Sequence, residues 1–166
     1  MFIFANNYTF AQTLEIDAQS AILIEAKSKR ILYEHNPHMK LPMASTTKIM
    51  TALLALEEGN CNDKVKIGEI AVGVEGSSIY LREGETLTLE DLLYGLMLRS
   101  GNDAAVAIAE HIGNSLEDFI KLMNQRAKEI GAVNTNFMNP HGLHHDNHYT
   151  TSYDLALITK IGRAHV

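Results

Sequence analysis

The sequence is poor in the residues that cross-link a chain, span a membrane or attract nucleic acid. Cys61 is the only cysteine among the 166 residues, so the chain has no internal disulfide and no cysteine pair with metal-ligand spacing. No stretch approaches the roughly 20 consecutive apolar residues of a transmembrane helix. Lys and Arg number 14 against 20 Asp and Glu, and the formal net charge is −6. Because the basic residues are also unclustered, the sequence argues against a nucleic-acid-binding surface.

What is present is the composition of a globular chain. Of all residues, 46% are hydrophobic and 20% are charged, and the mean hydropathy is −0.07. These values exclude a disordered tail and supply enough apolar side chains for a core. The length suits one domain or part of a larger one.

The two ends of the chain differ from the rest. Residues 1–11 begin with a short apolar run, and Ala11 suits a small-residue cleavage site. We interpret this segment as the remnant of an export signal whose front is missing, although an ordinary frayed N-terminus fits the same residues equally well. Residues 161–166, Ile-Gly-Arg-Ala-His-Val, are what the DNA string ATCGGAAGAGCACACGTC encodes. Because that string is a common sequencing-adapter read, we predict that residues 161–166 are an artefactual tail.

The hydrophobic pattern predicts a β-hairpin followed by a mostly helical block. Two apolar, β-rich runs, residues 20–26 and 30–34, flank a polar Lys-Ser-Lys turn and predict antiparallel strands. Two strands alone make a marginal sheet, so we expect more strands from elsewhere. Helical spacing and capping patterns predict the remaining elements: helices over 45–58, from Thr88 onward, over 103–111 and from Ser115 to Gly131, a glycine-rich loop over 68–84, a turn at 139–143 and a last helix capped by Ser152.

Ser45-Thr46-Thr47-Lys48 has the S-x-x-K spacing of an activated serine at the start of a helix. Positions i and i+3 lie on one helical face, so the hydroxyl and the amine come within hydrogen-bond reach. A serine is a weak nucleophile until a base takes its proton, and a desolvated, neutral lysine can be that base. The helix N-terminus adds free N–H groups for a developing oxyanion.

Short patterns also arise by chance. The serine and lysine content of the chain gives roughly 0.4 random S-x-x-K matches, and roughly 0.6 random matches to S-x-N on the same count. Context adds weight, because Ser45 opens an amphipathic helix directly after the hairpin and a turn marked by prolines. Ser100-Gly101-Asn102 lies in a break between two apolar helices, where a side chain can project into a cleft.

Together these segments resemble the low-molecular-mass penicillin-binding proteins, and more narrowly the serine D-alanyl-D-alanine carboxypeptidases of peptidase family S11. The resemblance rests on residues 41–52 around the S-x-x-K motif, on Gly84-Glu85, on residues 98–105 around Ser-Gly-Asn, and on Asn139-Pro140-His141-Gly142-Leu143. It extends over roughly residues 18–160. A joint match of this kind is far more specific than either short motif alone.

The resemblance implies a role for each matched residue. Ser45 would attack the carbonyl of a terminal D-Ala-D-Ala peptide bond and carry the acyl group, while Lys48 would accept its proton. Ser100 would relay a proton to the leaving D-alanine nitrogen, and Asn102 would hold Lys48 and the substrate amide. Water would then release the shortened peptide, with neither a metal nor an organic cofactor required.

The resemblance also implies fold, partners and location. The expected fold is the α/β (α+β) fold of β-lactamases and DD-peptidases, here as the N-terminal hairpin and the helical subdomain, with residues 12–160 forming part of the catalytic domain. The expected partners are peptidoglycan pentapeptides ending in D-Ala-D-Ala, and β-lactams as covalent inhibitors of Ser45, in a cell-wall remodelling role. The implied location is extracytoplasmic, with peripheral membrane association open for the full-length protein.

The family's Lys-Thr-Gly motif does not occur in the 166 residues, and Lys160 is followed by Ile161-Gly162 instead. That motif lies on a later strand and would supply positive charge and a second oxyanion N–H. Loss of one such donor typically costs about 10²–10³ in rate. We therefore expect an incomplete fragment that lacks the later strands of the antiparallel sheet, is weakly active or inactive, and exposes an unpaired hairpin edge.

Three alternatives stay open at this point. A class A-like β-lactamase would need a second general base, for which Glu129 lacks the expected surroundings, and the chain has Ser-Gly-Asn in place of Ser-Asp-Asn. A non-catalytic penicillin-binding module would fit the absent third motif, but the intact Ser45 and Lys48 count against it. A metal-binding module would use the histidine-rich segment 141–148, although its spacing is unordered and favours a solvated loop.

Overall fold

The computed structural model describes residues 16–162 and contains two small antiparallel sheets and five α-helices in that range. The prediction for residues 1–11 lies outside this range, and so does the prediction for 161–166 except at residues 161 and 162. No helix in the described range is long and apolar enough to cross a membrane. The elements in chain order are β1 (Ala21–Ile24), β2 (Ile31–His35), α1 (Lys48–Glu58), β3 (Lys64–Lys66), β4 (Thr86–Thr88), α2 (Leu89–Arg99), α3 (Asn102–Gly113), α4 (Leu116–Ile130) and α5 (Ser152–Gly162).

The predicted N-terminal hairpin is present. Strands β1 and β2 pair antiparallel, with Ala21 opposite His35 and a bulge next to Ile24. The carboxylate of Glu25 accepts two backbone N–H groups of the turn, from Lys27 at 3.0 Å and from Ser28 at 2.6 Å, so the turn is held by a side chain that mimics a backbone acceptor. In the described range this sheet has only these two strands, and β1 packs against α5.

Helix α1 is the centre of the core, as its spacing predicts. Met50, Leu53 and Leu54 are fully buried against α4 and α5, whereas Ala52 and Ala55 face α2 and α3. Burial of a leucine side chain contributes about 1.5–3 kcal/mol. Because apolar residues on both sides of α1 pack against other helices, the orientation of α1 is fixed. The position of its first turn is therefore fixed as well.

The capping pattern at Thr88 is confirmed in both of its hydrogen bonds. Asp91 N–H donates to Thr88 Oγ1 at 3.0 Å, and Thr88 N–H donates to the Asp91 carboxylate at 3.3 Å. At the start of α4 the N–H of Asp118 donates to Ser115 Oγ. The Asp118 carboxylate, however, accepts a hydrogen bond from the Ser115 hydroxyl and not from the Ser115 backbone N–H. Both helices begin where these caps predict.

Three local features differ from the predictions. The α1 helix is preceded by a 3₁₀ turn over Ala44–Thr47, so Ser45 lies just before the α-helix. Helix α5 begins at Ser152, and Thr151 supplies the cap by accepting the N–H of Asp154 at 3.1 Å. The sequence pattern also misses strands β3 and β4 and a short 3₁₀ turn, Glu69–Ala71, within the expected loop.

Candidate active site

The structure places Ser45 in the 3₁₀ turn and Lys48 at the first position of α1. The two side chains share one face, as the i to i+3 spacing requires. Ser45 is exposed, whereas Lys48 is only 3% exposed. A hydroxyl open to solvent therefore stands beside an amine that has lost most of its water.

Lys48 Nζ has three neighbours with oxygen atoms. It lies 2.7 Å from Asn102 Oδ1, 2.7 Å from the His141 carbonyl oxygen and 3.4 Å from Ser45 Oγ. Across the described residues no carboxylate forms an ion pair with it. Its surroundings thus offer dipoles but no opposite charge.

These surroundings suit a neutral amine. An uncharged –NH₂ has two N–H donors and one lone pair, and the two oxygens at 2.7 Å take the donors. The lone pair is then left for the Ser45 hydroxyl. Burial without a counter-charge lowers the pKa of Lys48 to about 8, because desolvation disfavours the charged form. The 3.4 Å separation from Ser45 Oγ is long, as catalytic hydrogen bonds often are before a substrate binds.

The Ser-Gly-Asn segment connects α2 to α3. Ser100 adopts a left-handed conformation (φ 56°) where α2 ends, and Asn102 is the first residue of α3. The side-chain amide of Asn102 donates to the Glu75 carbonyl at 2.6 Å, which orients its oxygen toward Lys48. The helix break thereby places one polar side chain in the cleft and another behind the lysine.

Ser45, Lys48 and Ser100 line one cleft of about 290 Å³. Its remaining lining is mostly apolar: Thr46, Ile49, Leu96 and Met97. The structure thus gathers three of the four residues singled out from the sequence around one space, and Asn102 reaches the same lysine from the core side. The catalytic and binding roles of these four residues stay predictions.

The site also depends on residues that the sequence pattern does not identify as functional. Asp103 accepts hydrogen bonds from Ser78 Oγ and from the backbone N–H of Ile79, Leu81 and Ala104. Burial raises the pKa of Asp103, but these hydrogen bonds outweigh it and the net shift is downward. The carboxylate therefore holds the 74–81 loop against the start of α3, beside Asn102.

The turn at residues 139–143 is a second unrecognised support. Asn139 Oδ1 accepts the N–H of Gly142 at 2.6 Å, and Thr51 Oγ1 donates to the Pro140 carbonyl at 2.6 Å. These bonds fix the His141 carbonyl that Lys48 contacts. Backbone acceptors carry no side-chain signature, so the sequence pattern predicted the turn at 139–143 but not its contact with Lys48.

The histidine-rich segment divides into buried and exposed parts. His141 and His148 have their pKa lowered to about 4, mainly by burial, whereas His144 meets Asp146 at 3.4 Å on the surface. Among residues 16–162 no group of three or more His, Cys, Asp or Glu is arranged to hold a metal ion. Glu129 lies exposed on α4, hydrogen-bonded by Gln125 and Arg126, and is not among the cleft residues.

The chain is similar to known proteins over most of its length. The D-alanyl-D-alanine carboxypeptidase family model matches residues 7–164. D-alanyl-D-alanine carboxypeptidase DacF of Bacillus subtilis is 46% identical over 149 residues, which are 87% of this chain and 38% of that protein. DacC of Escherichia coli is 37% identical over 175 residues, which cover 96% of this chain and 44% of that protein.

Solved structures agree with these matches. The carboxypeptidase DacD from Francisella tularensis superposes with a TM-score of 0.86 at 34% identity, covering 96% of this chain and 41% of that one. A DD-transpeptidase variant from Streptomyces K15 gives 0.86 at 31% identity, covering 92% and 63%. Over the matched region the fold is that of the penicillin-binding DD-peptidases. The chain belongs to the D-alanyl-D-alanine carboxypeptidase family.

The predicted fold class and family are therefore confirmed. The α/β fold, with its N-terminal hairpin and helical subdomain, is that of the DD-peptidases over the matched region. The chain spans about two fifths of the length of the curated relatives reported above.

Proposed function

We propose that this chain forms part of a serine-type D-Ala-D-Ala carboxypeptidase that acts on peptidoglycan stem peptides and is acylated by β-lactams. Residues 12–160 are then part of its catalytic domain. One observation carries the proposal: the buried amine of Lys48 has no counter-ion among residues 16–162 and lies within hydrogen-bond distance of Asn102 and of the His141 carbonyl. When this amine is neutral, those two oxygens accept its N–H groups, and its lone pair is left to face the Ser45 hydroxyl.

The proposed reaction begins with a proton transfer. Neutral Lys48 takes the Ser45 hydroxyl proton while Ser45 Oγ attacks the carbonyl carbon of the D-Ala-D-Ala peptide bond. A new C–O bond forms, and the carbonyl electrons move to its oxygen, near the N-terminus of α1, where the helix dipole favours negative charge.

The intermediate then collapses and breaks the C–N bond. The proton held by Lys48 passes by way of Ser100 to the departing nitrogen, so free D-alanine leaves with a neutral amine nitrogen and an acyl-enzyme remains. Water next adds to the ester with Lys48 again acting as base. The shortened peptide is released, and the Ser45 hydroxyl is regenerated. A β-lactam would enter the same first step, and its ring nitrogen would stay attached to the acyl group.

The family context supports further, finer proposals. The substrate lies in the cell wall, so an extracytoplasmic location and a role in cell-wall remodelling follow from the proposed reaction. A peripheral association with the membrane is a separate proposal, which concerns the full-length protein. Since the 166 residues contain no Lys-Thr-Gly, the chain by itself is expected to turn over substrate slowly. Glu129 lies on the exposed surface of α4, where Gln125 and Arg126 donate hydrogen bonds to its carboxylate. It is therefore not placed as a second general base for rapid, β-lactamase-type deacylation.

The test is release of D-alanine from a synthetic peptide ending in D-Ala-D-Ala, incubated with the chain and measured by chromatography. Activity is expected in the unaltered chain and in S28A, because Ser28 is an exposed residue of the hairpin turn. It is expected to vanish in S45A. Measurable release that is equal in the unaltered chain and in S45A would contradict the proposal.

A further inference from the structure

The turn that carries Ser45 has an unusual backbone. Ala44 has φ 45°, in the left-handed region that a residue with a side chain seldom adopts. Such a conformation persists only where the surroundings hold it. Something next to this turn must therefore fix the peptide that joins Ala44 to Ser45.

One side of the turn is held by close contact. Gly142 lies so near it that a Cβ atom at this position would overlap the Ala44 carbonyl and come within 3.0 Å of Ser45 N. Gly142 also has φ 94°. No other residue type could occupy this position without moving the turn.

The other side is held by a chain of hydrogen bonds. Thr47 Oγ1 donates to the Ala44 carbonyl at 2.8 Å, and His148 Nε2 lies 2.8 Å from the same Thr47 Oγ1. The N–H of Met138 lies 2.9 Å from His148 Nδ1. Thr47 and His148 are both buried, at 0% and 3% exposure.

The donor groups determine which atom donates in each of these hydrogen bonds. A backbone N–H can only donate, so Nδ1 of His148 accepts and carries no proton. The neutral imidazole then has its proton on Nε2 and donates it to Thr47 Oγ1, whose own proton goes to Ala44. Burial lowers the pKa of His148 to about 4, which agrees with a neutral ring. Both ring nitrogens are thereby occupied, and neither is left to bind a metal.

We propose that His148 is a positioning residue for the nucleophile, acting through Thr47 on the Ala44 carbonyl. This inference rests on the proposed function and adds a residue outside the catalytic set. Because a peptide group is planar, fixing the Ala44 carbonyl also fixes the direction of Ser45 N–H and the position of the Ser45 Cα, from which the side chain extends. Phe137 packs edge-on against the imidazole, with ring centroids 5.9 Å apart, and keeps the ring in place.

Paired variants test the proposal in the 166-residue chain. T47V keeps the shape of the side chain but loses the hydroxyl, whereas T47S keeps the hydroxyl. H148L removes both ring nitrogens, whereas H148Q restores one donor and one acceptor. T159V is the matched control, since Thr159 donates to Leu155 within α5 at 2.7 Å.

Two readouts are needed. The first is the rate of labelling by a fluorescent penicillin, which should fall about 10- to 100-fold in T47V and H148L, because small misplacements of a reacting group cost that much. T47S, H148Q and T159V should stay within about threefold of the unaltered chain. The second is nitrogen NMR, which should show an Nε2-protonated, neutral imidazole for His148 and altered Ala44 and Ser45 amide signals in T47V but not in T47S.

The outcomes separate the two proposals. If the unaltered chain is not labelled, the proposed function fails, and the NMR signals still decide whether Thr47 and His148 hold the turn. Equal labelling and unchanged Ala44 and Ser45 signals in T47V would overturn the positioning role, as would an Nδ1-protonated His148. If H148L does not fold, the labelling rates and amide signals of T47V and T47S still decide whether the hydrogen bond to Ala44 positions Ser45.

Discussion

The pH dependence of acylation follows from the burial of Lys48. Its pKa is lowered from 10.5 to about 8 because the amine is desolvated without a counter-charge. At pH 7 about one molecule in ten then has the neutral amine, against about one in 3,000 for an ordinary lysine. Burial alone therefore raises the supply of the base about 300-fold at neutral pH.

The sign of the effect is set by the form that reacts. Only the neutral amine can take the Ser45 proton, so the rate of labelling by a fluorescent penicillin should rise about tenfold per pH unit below pH 8 and level off above it. In the unfolded chain Lys48 keeps its proton up to pH 10.5, whereas in the folded chain it loses it near pH 8. This group therefore makes the free energy of unfolding rise with pH between those two values.

Two variants test whether Lys48 causes this pH dependence of the labelling rate. K48M removes the amine and should lower the labelling rate by about 10²–10⁴ on the plateau above pH 8, the usual contribution of a general base, and should abolish the rise in rate below it. K128M is the control, because Lys128 is exposed at the end of α4, and it should keep both the rate and the midpoint. A profile that is flat from pH 6 to 9, or whose midpoint lies near 10.5, would refute the assignment of Lys48 as a neutral base.

Three further changes test the supports of the site. N102A removes the acceptor of the Lys48 amine and should lower the labelling rate about 10- to 100-fold and the free energy of unfolding by about 1–3 kcal/mol in a urea titration. G142A should abolish labelling, since the added methyl group overlaps the nucleophile turn, whereas G73A, at φ 72° in open space, carries backbone strain alone; equal effects would contradict this. D103A should cost about 3 kcal/mol by leaving buried N–H groups without an acceptor. In the unaltered chain the Asp103 carboxylate should contribute less to the free energy of unfolding as the pH falls through its lowered pKa; a thermal melt independent of pH from 2 to 5 would refute it.

Local signals in the sequence predicted much of the fold. The Thr88 to Asp91 cap works because both of its hydrogen bonds lie within one turn and need no tertiary partner. The same holds for the stop of α4 at Gly131, which has a left-handed conformation. The spacing of Ser45 and Lys48 likewise fixes their shared face before anything else is known.

The remaining features depend on groups that leave no local signal. The carbonyls of Glu75 and His141 complete the surroundings of Asn102 and Lys48, and any residue type can present a carbonyl. Thr151 and Ser152 are both good cap residues, so tertiary packing decides that Thr151 caps α5. The three-residue strands β3 and β4 are too short for a periodic pattern to show.

The central claim is that Ser45 is a nucleophile, and mass spectrometry of the intact chain after incubation with a penicillin tests it most directly. The account predicts a single covalent adduct that maps to the peptide containing Ser45 and is lost in S45A. An adduct on another residue would contradict the claim, and so would the absence of any adduct on a chain whose circular dichroism spectrum shows the helices folded.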